Sequence, residues 1–195
     1  PSADAVEAAL WFDWSQLPAA ADPALGGQLA DADVVRAGGG RMNLRALRKR
    51  VQVEGFALAL AQLLPGARAR RAARRGRQGE QQRQQGQRQE RQQEQQQGEQ
   101  EPADGDITTG AAPDDDEPIW VVDFGSGGGN LTLPLAWLFE PEGCSFVAVD
   151  YKGAAVAMVA RRAREADLEG SLEASAGAIE GYSGPADVVL ALHAC

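Results

Sequence analysis

The last third of this sequence predicts an α/β fold, a parallel sheet with flanking helices, and three observations lead there. From Pro118 onward, short apolar runs rich in β-branched residues alternate with runs of helical character. A glycine cluster, Gly125, Gly127, Gly128 and Gly129, falls where the first apolar run gives way to the first helical one. A carboxylate, Asp150, closes the second apolar run, about 20 residues past the glycines.

In order, "IWVVDF" (Ile119 to Phe124) reads as a buried strand and "NLTLPLAWLF" (Asn130 to Phe139) as a helix. Pro134 is tolerated there because it falls in the opening turn, where a missing N–H costs little. "SFVAVD" (Ser145 to Asp150) reads as a second strand, "AAVAMVARRAREA" (Ala154 to Ala166) as a second helix, Leu172 to Ser175 as a third strand and "ADVVLAL" (Ala186 to Leu192) as a fourth. Strands that alternate with helices imply parallel pairing through right-handed crossovers. Asp187, at the head of the fourth strand, reads as a cap and not as a ligand group.

The chain divides into three regions. Residues 1–66 form a mainly helical amino-terminal segment, 67–117 a low-complexity and then acidic linker, and 118–195 the α/β part. In the first region, "RMNLRALRKRVQVEGFALALAQLL" (Arg41 to Leu64) predicts a helix with Leu44, Leu47, Val51 and Leu58 on one side and Arg41, Arg45, Arg48 and Lys49 on another. Beyond Gly55 it is apolar nearly all round, which predicts burial, and Pro65-Gly66 predicts its end. Trp11, Phe12 and Trp14 read as anchors onto a core. In the linker, "RQGEQQRQQGQRQERQQEQQQGEQ" lacks the apolar residues that would offset chain entropy, so it reads as disordered or transiently helical.

The net charge of −9 speaks against a general nucleic-acid coat, although about half of the basic residues lie between Arg68 and Arg91. Cys144, Cys195 and the single histidine form neither a disulfide framework nor a metal-ligand spacing, and no apolar run is long enough for a membrane span. This usage fits a reducing intracellular compartment, the cytoplasm first, and the absence of a leading Met leaves an upstream targeting segment open.

In a parallel sheet the ligand sits at the carboxyl ends of the strands, and a glycine-rich first turn lets backbone approach it closely. Asp150 is placed to accept hydrogen bonds from the two hydroxyls of a ribose. A dinucleotide fingerprint would need a third glycine at position 130, where Asn130 stands. Asp123, two residues before the first glycine, would repel a pyrophosphate but attract an ammonium or a sulfonium. S-adenosyl-L-methionine carries both cations and no phosphate.

With these residues in view, "VVDFGSGGG" resembles the first motif of the class I S-adenosylmethionine-dependent methyltransferases, with Asp123, Gly125, Gly127 and Gly129 on its D-x-G-x-G-x-G positions and "FVAVD" on its acidic motif. "VVDFGSGGGNLTLPLA" with "VLALHAC" further resembles the methyltransferase-like domains of the glutathione S-transferase C-terminal-domain-containing group, and "DWSQLP" and "RALRKRVQVE" resemble the segment preceding that domain. The resemblance implies a Rossmann-like class I methyltransferase fold, S-adenosyl-L-methionine as cofactor, and Asp123, Gly125, Ser126, Gly127, Gly129 and Asp150 as cofactor-binding residues. About four strands are found where that fold has seven, which implies a fragment holding the first half of the domain.

Two candidates for the chemistry follow the fourth strand: His193 as a general base and Cys195 as a thiolate nucleophile. An acceptor that is already nucleophilic needs neither, only positioning. Ala178 stands where many relatives place an adenine-facing Asp or Asn, and Glu180 and Tyr182 are candidates to border the adenine. RNA is the first expectation for the methyl acceptor, although the Asn/Asp-Pro-Pro-aromatic motif of exocyclic-amine methylation is absent. Two rivals stand beside this reading: a catalytically inactive binding or scaffold module, and an NAD-dependent oxidoreductase.

Overall fold

The computed structural model describes residues 10–25, 44–96 and 117–192. They fall into two units, one made of the described residues up to Ala67 together with those from Pro118, the other of those within Arg68–Glu117.

The first unit has four strands among the described residues; the apolar runs of the first two bury both faces, whereas the third and fourth, at the edges of the sheet, are partly exposed. The four are β1 (Ile119–Phe124), β2 (Cys144–Asp150), β3 (Leu172–Ala176) and β4 (Val188–Leu190), all parallel, in the order β3-β2-β1-β4. The register sets Asp123 beside Ala148 and Leu190, and Asp150 beside Ala176. The order runs one way from β1 to β3 and then reverses to β4. A crevice opens at such a reversal, outside the carboxyl ends of the strands.

Between the strands lie α2 (Thr132–Phe139) and α3 (Gly153–Glu165), close to the ranges expected from the sequence. Pro134 sits in the first turn of α2, and that short helix is buried almost all round, including Leu133, Leu135, Ala136 and Phe139. Asp187 accepts the backbone N–H of Trp120 at 3.1 Å and donates its own N–H to the Trp120 carbonyl, so it ties β4 to β1 as a structural group.

The amino-terminal helix α1 (Leu44–Gln96) does not stop at Pro65-Gly66, which is a correction to the sequence expectation. Proline removes one backbone hydrogen bond, but Leu60, Leu64 and Ala67 on either side are buried, and this packing holds the helix through the break. Its core-facing stripe is also rotated from the expected one, by roughly 100°, the angle of one residue step. Leu47 is buried as expected, but Val51 and Leu58 are 43% and 53% exposed, and Leu63 is exposed beyond Gly55. The buried stripe is Ala46, Leu47, Arg50, Val53, Glu54, Ala57, Leu60 and Leu64.

Two charged residues on that stripe explain the difference. Glu54 accepts the backbone N–H groups of Trp11 (3.2 Å) and Phe12 (3.1 Å) and the indole N–H of Trp14 (2.9 Å). Arg50 pairs with buried Asp22 at 2.5 Å and lies over the Trp14 ring. Phe12 packs edge-on against Trp14 and Trp137, so the aromatic segment is an anchor, while the Trp11 ring itself is 55% exposed. Buried charges need a partner or hydrogen bonds to be stable: Arg50 has the Asp22 carboxylate, and Glu54 has three N–H donors.

In the second unit, α1 continues as a helix from Arg68 to Gln96, over the Arg/Gln/Glu-rich stretch for which the sequence leaves disorder and helix open. Arg71 and Arg75 both bond the Glu117 carboxylate, Arg75 at 2.7 Å, and hold its carboxyl below the ordinary range.

Candidate functional site

At the carboxyl ends of β1 and β2 lies a cavity of about 830 Å³. The turn after β1 forms one wall with Asp123, Gly125, Ser126, Gly127 and Gly128; Asp150, Tyr151 and Lys152 follow from the end of β2. Gly177, Ala178, Ile179 and Glu180 come from the loop after β3, and Lys49, Gln52 and Val53 from α1. The glycine turn and both carboxylates singled out from the sequence thus lie in one place.

The turn keeps its shape by backbone bonds. The N–H groups of Gly125 and Ser126 both donate to the Val149 carbonyl, at 2.9 and 3.1 Å, and fasten the loop to the end of β2. Two glycines are required for different reasons. Gly129 has φ +76°, and a Cβ there would lie 2.8 Å from a Leu133 methyl and 3.1 Å from a Val159 methyl, so the turn touches α2 and α3 too closely for any side chain. Gly127 has φ +54° and nothing within 4 Å of the place of a Cβ: it leaves open space on the cavity side.

Asp150 uses both oxygens locally, accepting the Gly127 N–H at 2.9 Å and the Lys152 N–H at 2.9 Å. Each carboxylate oxygen has a second lone pair, so the pair of acceptors expected for a ribose remains while the group braces the glycine turn. Asp123 is 2% exposed and accepts the Thr132 hydroxyl at 2.6 Å. Burial pushes its carboxyl up to about 6, the Asp150 charge adds to the rise, and the Thr132 hydrogen bond opposes it. A buried carboxylate at the edge of ionisation gains most from a cation placed beside it. Ser126 Oγ is buried and, among the described residues, finds no hydrogen-bond partner. A buried hydroxyl without a partner is costly unless a ligand completes it.

Arg162 gives no such signal in the sequence, where it is one of three arginines in "ARRARE". It is fully buried on α3, and its guanidinium donates to the carbonyls of Ala20 (2.7 Å), Asp22 (3.4 Å) and Gly128 and to Asn130 Oδ1 (3.1 Å). It thus clamps the back of the glycine turn to the amino-terminal segment, and Asn130 is part of this clamp. Burial lowers its pKa to about 10, which leaves it charged at neutral pH.

The other candidates divide. Glu180 and Ala178 line the cavity, whereas Tyr182 does not: it packs edge-on against Phe124 at 5.6 Å, and its hydroxyl bonds the Pro185 carbonyl. Leu192 lines the cavity, while His193 and Cys195, the candidates for catalysis, lie outside the described residues. Among the described residues no group of His, Cys, Asp or Glu side chains could hold a metal ion, and no helix is long and apolar enough to cross a membrane.

The comparison with known families adds one further observation. Residues 105–195 match the family model of a methyltransferase domain. The matched stretch contains all four strands, the glycine turn and Asp150. No curated protein sequence matches the chain.

Among solved structures, the chain is similar to the magnesium protoporphyrin IX methyltransferase of Synechocystis PCC 6803 with bound S-adenosylhomocysteine (SAH), at 16% identity, over 84% of this chain and 53% of that one, with a TM-score of 0.42. It is also similar to a SAM-dependent methyltransferase of Thiobacillus denitrificans in complex with S-adenosyl-L-homocysteine (23% identity, 38% and 30% covered, TM-score 0.32). A third is coclaurine N-methyltransferase bound to N-methylheliamine and SAH (25% identity, 33% and 18% covered, TM-score 0.30). The chain spans 53% or less of the length of these enzymes, and what they bind is a property of theirs.

Proposed function

We propose that this chain acts in S-adenosyl-L-methionine-dependent methyl transfer, with the cofactor in the cavity at the ends of β1 and β2. The observation that carries this reading is Asp123, a buried carboxylate poised near pH 6 in the wall of a glycine-lined cavity at the strand-order reversal. Such a group favours a cation and disfavours the pyrophosphate of NAD. The donor set fits the cofactor: Asp123 for its positive end, Gly127 for close approach of the chain, Ser126 Oγ as an unused donor and acceptor, and Asp150 for the ribose hydroxyls. The family model of a methyltransferase domain supports the same reading.

When bound, the sulfonium supplies the methyl group, whose bond to sulfur breaks as the bond to the acceptor forms. The chain's part is to bind, orient and exclude water. We take RNA as the acceptor, with Lys49 and Lys152 in the cavity wall and exposed Arg48 on the same helix as the groups that meet its phosphates. Kinship with the glutathione S-transferase C-terminal-domain-containing group belongs to the same proposal and rests on the motifs quoted above. One feature favours a binding module without turnover: Ala178 offers only a methyl group where an adenine-facing acceptor would stand.

Titration calorimetry with S-adenosyl-L-methionine tests the reading, with NADH as competitor and Asp150→Ala and Asp150→Asn as variants. We expect micromolar affinity that NADH leaves untouched and Asp150→Ala weakens at least tenfold, about 1.4 kcal/mol. Asn retains an acceptor for the Gly127 N–H and separates the loss of a ligand contact from the loss of the turn. A folded chain that takes NADH in preference, or neither molecule, overturns the proposal. Cofactor binding without methylation of any RNA or protein fraction would leave the binding module standing in place of the enzyme.

A further inference from the structure

We infer that the second unit carries a nucleic-acid site distinct from the cavity, in which an arginine ridge of α1 binds the phosphate backbone. Between Arg68 and Gln96 the chain has nine arginines against three glutamates, within a protein of net charge −9. At about 100° per residue, Arg70, Arg74, Arg77, Arg88 and Arg91 fall within one stripe roughly 100° wide. All five are exposed.

A solvated helix face normally interleaves opposite charges at i,i+4. Arg70, Arg74 and Arg77 instead set like charges on one ridge, which costs a helix a few tenths of a kcal/mol per pair unless an anion covers them. The same helix shows what such a pair does when an anion is at hand. Arg71 and Arg75, also i,i+4, close on the single carboxylate of Glu117. Arg70 and Arg74 present the same spacing outward, followed by Arg77 one turn on and by Arg88 and Arg91 further along. A row of like charges on one ridge calls for a row of anions.

The composition narrows the polyanion. No Leu, Ile, Val, Met or aromatic residue occurs from Arg68 to Gln96, so the segment has no apolar face to insert in a lipid surface and no ring on which a base can stack. Arginine's planar fork matches phosphate oxygens. Recognition is then of backbone phosphates, without sequence preference. The site accords with RNA as the methyl acceptor but does not depend on the cavity's holding a cofactor.

Fluorescence anisotropy of the full chain with a labelled RNA duplex, the same sequence as a DNA duplex, and single-stranded RNA provides the test. Five phosphate contacts predict a slope of log K on log salt of about −4.5 on a duplex and about −3.5 on a single strand. Arg70→Gln/Arg74→Gln/Arg77→Gln, which keeps good helix formers, should reduce that slope in magnitude by about 2 to 3 and weaken binding at least tenfold at low salt. It should leave S-adenosyl-L-methionine binding and the circular dichroism of the chain unchanged. Glu117→Gln removes the internal competitor of Arg71 and Arg75 and should steepen the slope.

Preference for one duplex identifies the nucleic acid, and equal binding of all three identifies the backbone alone; both support the inference. It is overturned if the triple variant retains the wild-type slope, if no nucleic acid binds, or if vesicles containing phosphatidylserine bind where nucleic acids do not. An unmutated chain that shows the predicted slope but binds no S-adenosyl-L-methionine would count against the cavity reading alone.

Discussion

Replacing Asp123 by Asn separates what this residue does for the fold from what it does for a ligand. Folding raises its carboxyl from 3.8 to about 6, chiefly by burial, so the protonated form is the one that the fold favours. The stability associated with this group is fully present below the unfolded value of 3.8 and is lost as the pH climbs through about 6. A shift of roughly two units corresponds to about 3 kcal/mol, which the wild type forgoes at pH 8 and an always-neutral Asn does not. The amide oxygen of the Asn side chain would still accept the Thr132 hydroxyl, so the main packing partner is preserved.

Asp123→Asn should therefore be more stable than wild type by up to about 3 kcal/mol at pH 8, a rise of several degrees in Tm. The gain should fall to about half near pH 5 and vanish below about pH 4. Urea unfolding followed by tryptophan fluorescence at three pH values measures it. The same variant should bind S-adenosyl-L-methionine at least tenfold more weakly, and wild-type affinity should itself decline below pH 6 as Asp123 takes up its proton. A variant less stable than wild type at pH 8, or a gain that does not change with pH, would refute the reasoning and make Asp123 a structural partner of Thr132.

The two glycines of the turn should respond oppositely to alanine. Gly129→Ala meets Leu133 and Val159 and should cost at least about 2 kcal/mol in chemical denaturation, whereas Gly127→Ala should cost about 1 kcal/mol yet abolish measurable cofactor binding in calorimetry. Glu54→Ala leaves two backbone amides and the Trp14 indole without their acceptor, a loss of about 2 to 4 kcal/mol, with a red shift of tryptophan emission as the segment loosens. Arg162→Met keeps an unbranched apolar stem but removes the guanidinium and strands the carbonyls of Ala20, Asp22 and Gly128; we expect a loss of about 3 kcal/mol and faster amide exchange in both the glycine turn and the amino-terminal segment.

The centre of the sheet, β1 and β2, was legible because parallel strands buried on both faces read as unbroken apolar runs. "IWVVDF" and "SFVAVD" need no tertiary knowledge to be placed, and the glycines with Asp150 mark the loop ends between them. The face of α1 was not legible, because periodicity counts apolar residues and this core face includes Arg50 and Glu54, whose burial depends on partners some 28 and 40 positions away in the chain. Pro65 misled for a related reason: its local cost is outweighed by the burial of Leu60, Leu64 and Ala67, which only packing reveals. Arg162 could not have been told from Arg161 or Arg164, since what distinguishes it is a set of carbonyl groups from distant segments.

Those same long-range bonds make the amino-terminal segment part of the site. The glycine turn is fastened in front by Val149 and Asp150 and behind by Arg162, and half of the Arg162 bonds go to Ala20 and Asp22. Asp22 in turn pairs with Arg50 on α1, one turn from Val53 and adjacent to Lys49, both of which line the cavity. A buried guanidinium cannot drop some of its partners without stranding a charge, so the turn, the segment before α1 and the cavity-facing stretch of α1 must order together. The cavity is therefore not a property of the sheet alone. A chain cut at Pro118 would retain the glycine turn and both carboxylates, yet lack one wall of the cavity and two of the four acceptors that offset the cost of burying Arg162.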